Sequence, residues 1–246
     1  MPRKAQTESV SDLNAAPGGA AAVDRALSLL SAFQAGDDAL SLAQLAQRTQ
    51  LYKSTVLRLL ASLEHARFIR RLDDGRYGLG TELARLHGVY AASFPLDRVV
   101  PPVLRDLVAA TGESAAYHVR QDQGAQRMRL CLYRVDSPHM VRDHVRAGDL
   151  LPADRGAGAR VLIAFGPRAE WPADAAGRAF CEAIVVQGYC AAVGDRTAEL
   201  GGISAPVFRA DGTLAGAVTL TMPAHRYDAA FIAPVRAAAA KLDGIV

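Results

Sequence analysis

The side chains best suited to bind a polyanion are concentrated between Arg48 and Arg76. This stretch contains seven basic and three acidic residues, a net charge of +4, whereas the whole chain of 246 residues has a formal net charge of +3. Guanidinium and ammonium groups neutralise phosphates, and hydroxyl groups hydrogen bond to phosphates and base edges. The remainder of the chain is close to neutral, so the charge distribution favours contact with a nucleic acid at this one segment.

Two predicted helices position the first of these side chains. Ser41 is a suitable N-cap for a helix that ends near Thr49, and residues 49–52 interrupt the helical pattern. The pattern resumes at Lys53, with an apolar face formed by Val56, Leu59, Leu60 and Leu63. The other face of this second helix begins with Lys53, Ser54, Thr55 and Arg58. Polar and cationic groups in the first turn are typical of a helix that enters the major groove of DNA.

A basic hairpin follows directly. Two short β-prone runs, residues 68–72 and 76–79, are joined through Asp73-Asp74-Gly75, and Asp-Gly between such runs is a strong hairpin signal. Helix, turn, helix and hairpin in this order indicate a winged helix-turn-helix domain. The alternative is a helical subdomain with a solvated basic face, because two helices meeting at a corner are common. The order and the charge favour DNA binding, and the predicted DNA-binding residues are Ser41, Lys53, Ser54, Thr55, Arg58, Arg70, Arg71 and Arg76.

The length of the chain leaves room for a second domain. Half of the 246 residues are hydrophobic, enough to bury two cores. We expect a disordered N-terminal arm over residues 1–19, a winged helix-turn-helix domain over 20–80, a linker helix over 81–95 and a larger domain over 96–246. The sequence shows no apolar run of membrane-spanning length and no signal peptide, and its three cysteines lack the spacing of a metal site. These features predict a cytoplasmic protein with reduced thiols.

The larger domain is predicted to combine helices with an antiparallel sheet. The predicted helices cover residues 96–110, with a kink or a break at Pro101-Pro102, and residues 156–165, 175–187 and 227–242. The predicted strands cover residues 115–119, 128–135, 144–146, 200–208 and 214–222, with turns at 122–124 and 210–213. This α+β arrangement resembles the GAF type of small-molecule sensor domain. The predicted fold class is therefore α+β, with a winged helix-turn-helix domain followed by a GAF-like effector-binding domain.

Three motifs resemble the IclR family of bacterial transcriptional regulators, and the resemblance extends from about Ala20 to the end of the chain. The first is VDRALSLLSAF, followed by KSTVLRLL at the position of the family's recognition helix. The second, RAGDLLPADRGAGARVLIAF, is similar to the loop and helix that line the family's effector pocket. The third, GYCAAVGDRTAELGGISAPVF followed by DGTLAGAVTLTMP, is similar to the family's strand pair that ends in Ala-Pro-Val.

The resemblance implies a pocket for a small organic acid. Arginine side chains would pair with a carboxylate, and small residues at the start of the helix near residue 156 would leave backbone N–H groups open to an anion. The alternative is that these glycines only permit close packing. The predicted effector-binding residues are Arg155, Gly156, Ala157, Gly158, Arg160, Tyr189, Arg196, Gly202 and Ile203.

The sequence departs from the family pattern at several positions. Gln50 and Arg67 occupy turn positions at which the family usually has glycine, and we expect both residues to adopt a negative φ. In the pocket, Asp154, Ala192 and Gly202 replace the usual histidine, acidic residue and cysteine or serine. The ligand is therefore expected to be larger, more apolar or differently charged than the small carboxylates of other members.

The residues and the resemblance together predict a ligand-responsive regulator of a bacterial metabolic operon, either a repressor or an activator. Its expected partners are double-stranded DNA with a pseudo-palindromic operator, a small-molecule effector, and further copies of itself in a dimer or a dimer of dimers. No cofactor, metal ion, catalytic residue or membrane partner is expected. Two alternatives stay open: a hydrolase-like enzyme, although the common nucleophile and phosphate-binding motifs are absent, and a redox-sensing regulator that uses Cys131, Cys181 or Cys190.

Overall fold

The computed structural model describes residues 8–93, 96–123 and 126–246. The chain divides into two compact units, Met1–Ser93 and Phe94–Val246. Residues 1–7 of the expected arm, Phe94 and Pro95 of the expected linker helix, and Gly124 of an expected turn lie outside the described residues. None of the helices in the described residues is long and apolar enough to cross a membrane.

The first unit is built from helices and one hairpin. Its elements are α1 (Val10–Leu13), α2 (Ala21–Ser31), α3 (Leu42–Thr49), α4 (Lys53–His65), β1 (Ile69–Arg71), β2 (Tyr77–Leu79) and α5 (Thr81–Ser93). Helix α1 corrects the expectation of a disordered arm for its four residues. It forms because Ser9 and Asp12 make a reciprocal capping box, and Asp12 also pairs with Arg25 of α2 at 3.1 Å.

The core of the first unit lies between α2, α3, α4 and the hairpin. Leu29, Leu45 and Val56 are completely buried, one from each helix, and all three belong to this core. Leu40 exchanges two backbone hydrogen bonds with Tyr77, each of 2.8 Å, and so attaches the segment before α3 to strand β2. These contacts fix α3, α4 and the hairpin as one winged helix-turn-helix domain, as the sequence predicted.

The second unit is a sheet between layers of helices. Its elements are α6 (Leu96–Thr111), β3 (Ser114–Arg120), β4 (Met128–Val135), β5 (Leu150–Pro152), α7 (Ala157–Ala164), α8 (Ala175–Gln187), β6 (Cys190–Val193), β7 (Leu200–Phe208), β8 (Leu214–Pro223) and α9 (Ile232–Ala240). All adjacent strands are antiparallel, in the order β5-β4-β3-β8-β7-β6. The predicted α+β fold, with an antiparallel sheet flanked by helices, is confirmed.

The two faces of this sheet have different characters. On one face, alternate residues such as Ile203 and Leu220 pack against α6 and α9 in the largest core of the protein. On the other face, Gly202 lies against Ala157 of α7, and Ser204 hydrogen bonds to Thr219 at 3.0 Å. Side chains of successive strand residues point to opposite faces, so this period of two decides which residues can reach α7.

Several predicted elements of the second unit need correction. Residues 144–146 form no strand, because β4 pairs instead with Leu150–Pro152. Helix α6 runs without a break through Pro101 and Pro102. The last predicted helix, residues 227–242, begins as a short 3-10 turn at Ala229–Phe231, and its α-helical part is confined to α9. Strand β6 was not among the predicted strands.

Candidate nucleic-acid interface and ligand cavity

Local hydrogen bonds determine where α3 begins. The hydroxyl of Ser41 accepts a hydrogen bond from the backbone N–H of Gln44 at 3.3 Å, and the side-chain oxygen of Gln44 accepts from the backbone N–H of Ser41 at 2.8 Å. This reciprocal arrangement is a capping box. Ser41, which the sequence placed among the DNA contacts, therefore uses its hydroxyl to begin the helix.

One residue in the turn after α3 and one in the turn after α4 have a left-handed backbone conformation. Gln50 has φ 58° and Arg67 has φ 60°, so the expectation of a negative φ is wrong at both positions. After α4, the N–H of Phe68 donates to the carbonyl of Leu63 and the N–H of Arg67 donates to that of Glu64, both at 2.9 Å. These two bonds form a Schellman motif, which requires a positive φ at Arg67 whichever side chain is present.

Helix α4 presents the polar face that the sequence predicted. Lys53, Ser54 and Arg58 are exposed, and Thr55 is partly exposed, while Val56 is completely buried. Two further residues of this surface were missed: Tyr52, whose exposed fraction is 65%, and Leu57, at 47%. Exposed aromatic and aliphatic side chains at a helix start are a weak sequence signal, because many surface residues are apolar.

The hairpin adds cationic side chains to the same unit. Its register pairs Arg70 with Gly78 and Arg71 with Tyr77, and both arginines are exposed. The guanidinium of Arg71 lies 6.0 Å from the centroid of the Tyr77 ring. Arg76 pairs with Asp74 at 2.7 Å, and both side chains are about half exposed, 50% and 49%. Exposed pairs of this kind contribute little stability, so Arg76 can exchange Asp74 for a phosphate.

Arg48 differs from the other basic residues of the segment. It forms an ion pair with Asp37 and donates to the carbonyl oxygen of Ala32 at 2.8 Å. The hydrogen bond from Arg48 is the largest cause of the lowered pKa of Asp37. Because Asp37 precedes residues 48–76, the net charge of that segment counts Arg48 but not its partner. Arg48 ties α3 to the end of α2 and is a structural residue.

In the second unit, a small cavity lies between the sheet and the start of α7. Its volume is about 40 Å³, and a buried water needs roughly 10–15 Å³, so it has room for a few water molecules or a small ligand group. The cavity is lined by His118, Arg129, Arg134, Asp143, Val145, Gly156, Ala157, Gly158, Ala192, Asp195, Arg196, Leu200, Gly201, Gly202, Thr219 and Thr221. Most of the charged groups come from β4 and from the loop after β6.

Both carboxylates that line this cavity are paired. Asp143 pairs with Arg134, which also binds Asp136 at 2.7 Å. Asp195 binds both Arg160 at 2.8 Å and the backbone N–H of Gly156 at 2.6 Å. The hydrogen bond from Arg160 is the largest cause of the lowered pKa of Asp195.

Arg129 is the least expected side chain in the cavity. Its exposed fraction is 4%, and its Nε has no hydrogen-bond partner. The guanidinium packs on the start of α7: Nη1 lies 2.6 Å from the position that a Cβ would occupy on Gly158, and Nη2 lies 3.4 Å from the equivalent position on Gly156. Burial, followed by the charge of Arg196, lowers the pKa of Arg129 to about 10, so it remains positively charged at neutral pH.

His118 is buried beside this arginine. Its Nδ1 lies 3.3 Å from the hydroxyl of Thr219 on the neighbouring strand. Burial is the largest cause that lowers the pKa of His118 well below 6.5, and the charges of Arg129, Arg134 and Arg196 act in the same direction. The imidazole is therefore neutral at physiological pH.

Five of the nine predicted effector-binding residues line the cavity: Gly156, Ala157, Gly158, Arg196 and Gly202. The other four lie elsewhere. Arg155 is exposed and pairs with Asp154 at 3.3 Å, and Arg160 is engaged with Asp195. Tyr189 and Ile203 pack into the core on the opposite face of the sheet. For Ile203, the reason is strand geometry, since it follows Gly202 and must point the other way.

Sequence reasoning missed His118, Arg129, Arg134, Asp143, Asp195 and Thr219 as cavity residues. A signal was present for Arg129, which precedes the completely buried Cys131 by two residues on β4 and so shares its inward face. A cation in phase with buried apolar residues indicates an unusual environment. Thr219 carried no comparable signal, because it meets His118 only through the pairing of β3 with β8.

The three cysteines are free and buried. Burial raises the pKa of Cys131 and that of Cys190 to about 12, and it also raises the pKa of Cys181. Thiolates are the reactive form, so all three thiols are weakly reactive at neutral pH. In the part of the chain that the structure describes, no group of three or more histidine, cysteine, aspartate or glutamate residues is arranged to hold a metal ion.

Comparison with known proteins identifies similar sequences and folds. Residues 22–73 match the model of the IclR helix-turn-helix domain. The glycerol operon regulatory protein of Streptomyces coelicolor is 28% identical over 220 residues, which cover 83% of this chain and 85% of that protein. The structure of an IclR-family regulator from a Rhodococcus species is 28% identical, with a TM-score of 0.54, over 91% of this chain and 92% of that chain.

A further solved structure shows the same fold with a bound ligand. It is an IclR homologue from Microbacterium hydrocarbonoxydans in complex with 4-hydroxybenzoate, with a TM-score of 0.76 at 22% identity. The alignment covers 90% of this chain and 97% of that chain. At this level of identity the likeness concerns the fold alone.

Proposed function

The chain belongs to the IclR family and is a transcriptional regulator, and we propose that it controls a bacterial metabolic operon, of the catabolic kind, in response to a small organic acid. The observation that carries the DNA-binding part is the exposed face of the N-terminal half of α4. Lys53, Ser54 and Arg58 are exposed there, while the opposite face of the same helix is buried. A helix held in this way can enter a major groove without loss of its own core.

The proposed contacts divide by chemistry. Lys53, Ser54, Thr55 and Arg58 would meet base edges and the nearest phosphates. The arginines of the hairpin, Arg70, Arg71 and Arg76, would neutralise phosphates beside the groove. Base contacts determine sequence preference, whereas phosphate contacts determine affinity and its dependence on salt. Ser41 would contribute by fixing the start of α3.

The ligand part of the proposal rests on the cavity of the second unit. Backbone N–H groups at the start of α7 and the arginine side chains beside them are suited to a carboxylate. The Microbacterium homologue, which shares the fold, has the organic acid 4-hydroxybenzoate bound in its structure. The proposed residues from the sequence are Gly156, Ala157, Gly158, Arg196 and Gly202, joined by Arg129 and His118.

Regulation requires that the ligand favour one of two states of the protein. A dimer, or a dimer of dimers, would place two copies of α4 on two half-sites about one helical turn of DNA, or a multiple of it, apart. The effector can change DNA affinity only if it binds the DNA-competent and incompetent states with different affinity. Whether this represses or activates depends on the position of the operator relative to the promoter.

The experiment is selection of genomic fragments on the purified full-length protein at physiological salt, followed by sequencing of the bound DNA. We expect enrichment of an inverted repeat with a fixed half-site spacing. The genes beside this inverted repeat then indicate a metabolic pathway, and organic acids of that pathway are titrated as candidate effectors. Diffuse, salt-sensitive retention without a shared motif would contradict the proposal, because it would show only the sequence-independent electrostatic component.

A further inference from the structure

The three arginines that line the cavity differ in their ion pairs. Arg134 binds both Asp136 and Asp143, and the remaining lining carboxylate, Asp195, is engaged with Arg160. Among residues 8–93, 96–123 and 126–246, the salt bridges near the cavity involve other arginines, and none joins a carboxylate to Arg129 or Arg196. Arg129 and Arg196 therefore line the cavity without an ion pair of their own, although the charges of Asp143 and Asp154 favour the charged form of Arg129.

The side chains of Arg129 and Arg196 both approach Gly156, at the start of α7. Nη2 of Arg129 lies 3.4 Å from the position that a Cβ would take on Gly156, and the Cβ and Cδ of Arg196 lie 3.7 and 3.9 Å from it. The two guanidinium groups repel each other, and Arg129 is buried with an unpartnered Nε. A buried charge without an ion pair costs free energy, and a bound anion would offset that cost.

The cavity also supplies neutral partners for an anion. The first backbone N–H groups of α7 have no carbonyl in a preceding turn, and the absence of a side chain on Gly158 lets the guanidinium group of Arg129 approach the start of the helix. The apolar part of the lining, including Val145 and Leu200, suits a short carbon chain between charged ends. The small volume of about 40 Å³ favours a compact ligand over a large one.

We propose that the effector is a compact dicarboxylate, with one carboxylate on Arg129 and the start of α7 and the other on Arg196. The inference rests on the proposed function and specifies its ligand. A monocarboxylate would leave one of the two guanidinium groups uncompensated. A dicarboxylate neutralises both and completes the hydrogen bonds of the buried Nε.

The first test is calorimetric titration of the full-length protein with malonate and succinate against propionate, butyrate, 4-hydroxybenzoate and inorganic phosphate. We expect a dicarboxylate to bind about tenfold to a hundredfold more tightly than the monocarboxylate of the same chain length, because a second charge-assisted contact is made. Equal binding of the monocarboxylates, binding of phosphate alone, or no binding of either dicarboxylate at millimolar concentration overturns the proposal.

Variants identify the two anchors. Arg129→Gln and Arg196→Gln should each lose the preference for the dicarboxylate, and Arg146→Gln, an exposed arginine of the same unit outside the cavity, should keep it. In addition, Arg129→Gln should not lower the melting temperature of the ligand-free protein, since it removes an uncompensated buried charge. If Arg129→Gln fails to fold, the ligand preference of Arg196→Gln still tests the proposal. Wild-type discrimination in both variants contradicts the assignment.

DNA binding separates this inference from the proposed function. The operator obtained by genomic selection is labelled, and its affinity is measured by fluorescence anisotropy with and without each acid. If only monocarboxylates change the operator affinity, the proposed function is supported and the proposal of a dicarboxylate effector is wrong. If none of the acids from the neighbouring pathway changes it, the proposed ligand response itself fails.

Discussion

The carboxylate of Asp195 accepts a hydrogen bond of 2.6 Å from the backbone N–H of Gly156, 39 residues earlier in the chain. The same carboxylate binds the side chain of Arg160 at 2.8 and 3.0 Å. It therefore holds the first turn of α7 both at the residue before the helix and at the fourth helical residue. Because the loop after β6 supplies this acceptor, the cavity and the start of α7 depend on each other.

Asp195→Asn should lower the free energy of unfolding by about 1–2 kcal/mol at pH 7, because it removes a charge-assisted pair that is only partly exposed. The pKa of Asp195 lies below its ordinary value of 3.8 in the folded protein. The stabilisation is therefore present above the ordinary pKa and lost as the pH falls through the folded pKa. Denaturant titrations at several pH values should show the two proteins converging in acid.

Asp106→Asn is the matched control, because its pair with Lys241 spans 3.7 Å and both side chains are largely exposed. It should leave the free energy of unfolding nearly unchanged. Equal stabilities of wild-type protein and Asp195→Asn at neutral pH would contradict the structural role of Asp195.

Gln50→Gly should stabilise the first unit by about 0.5–1 kcal/mol. Gln50 has φ 58°, where a Cβ is unfavourable, and glycine removes that strain at some cost in chain entropy. Both substitutions lose the hydrogen bond from the Gln50 side-chain amide to the carbonyl of Gln47, but Gln50→Ala keeps the strain and should give no gain. Midpoints of chemical denaturation compare the three proteins. A gain in Gln50→Ala equal to that in Gln50→Gly would show that the strain is not the cause.

Gly80→Ala should destabilise the first unit more than Gly75→Ala does. A Cβ on Gly80 would collide with the carbonyl group of Arg67, whose backbone is fixed by the Schellman motif. A Cβ on Gly75 meets no atom within 4 Å, so only the strain of φ 81° remains, about 1 kcal/mol. We expect a loss of about 2–4 kcal/mol for Gly80→Ala. Thermal unfolding measures both, and the reverse order would contradict the described hairpin.

Arg58→Ala and Arg71→Ala should weaken operator binding in different ways. Loss of Arg58 should cost about 1–3 kcal/mol and relax sequence preference, whereas loss of Arg71 should weaken all sequences evenly and reduce the salt slope by about 1. Binding isotherms at several salt concentrations, on specific and random DNA, distinguish the two. Unchanged isotherms for both variants would place the DNA interface elsewhere.

Arg48→Ala is the informative counterpart among the basic residues. It should lower stability by about 1–2 kcal/mol, since Asp37 loses its partner, while the salt slope of DNA binding stays the same. A reduced salt slope in this variant would show that Arg48 reaches a phosphate and would contradict its structural assignment.

The winged helix-turn-helix domain could be predicted from the sequence because local interactions specify its elements. The cap at Ser41, the apolar face of α4 and the Asp-Gly turn of the hairpin each involve residues only a few positions apart. The sequence also placed the two unusual turns at Gln50 and Arg67. It did not give their backbone conformation, because the positive φ follows from bonds such as that between Phe68 and Leu63.

Tertiary contacts determine which side chains line the cavity. His118 meets Thr219, 101 residues later, only because β3 pairs with β8, and Arg129 reaches α7 only because β4 lies beside β3. Local sequence patterns were sufficient to predict a winged helix-turn-helix domain, an α+β domain and the small residues at the start of α7. Which side chains face those small residues depends on strand register and on the sheet face, and these are fixed by burial of the two cores. A one-residue difference separates Gly202, in the cavity, from Ile203, in the core.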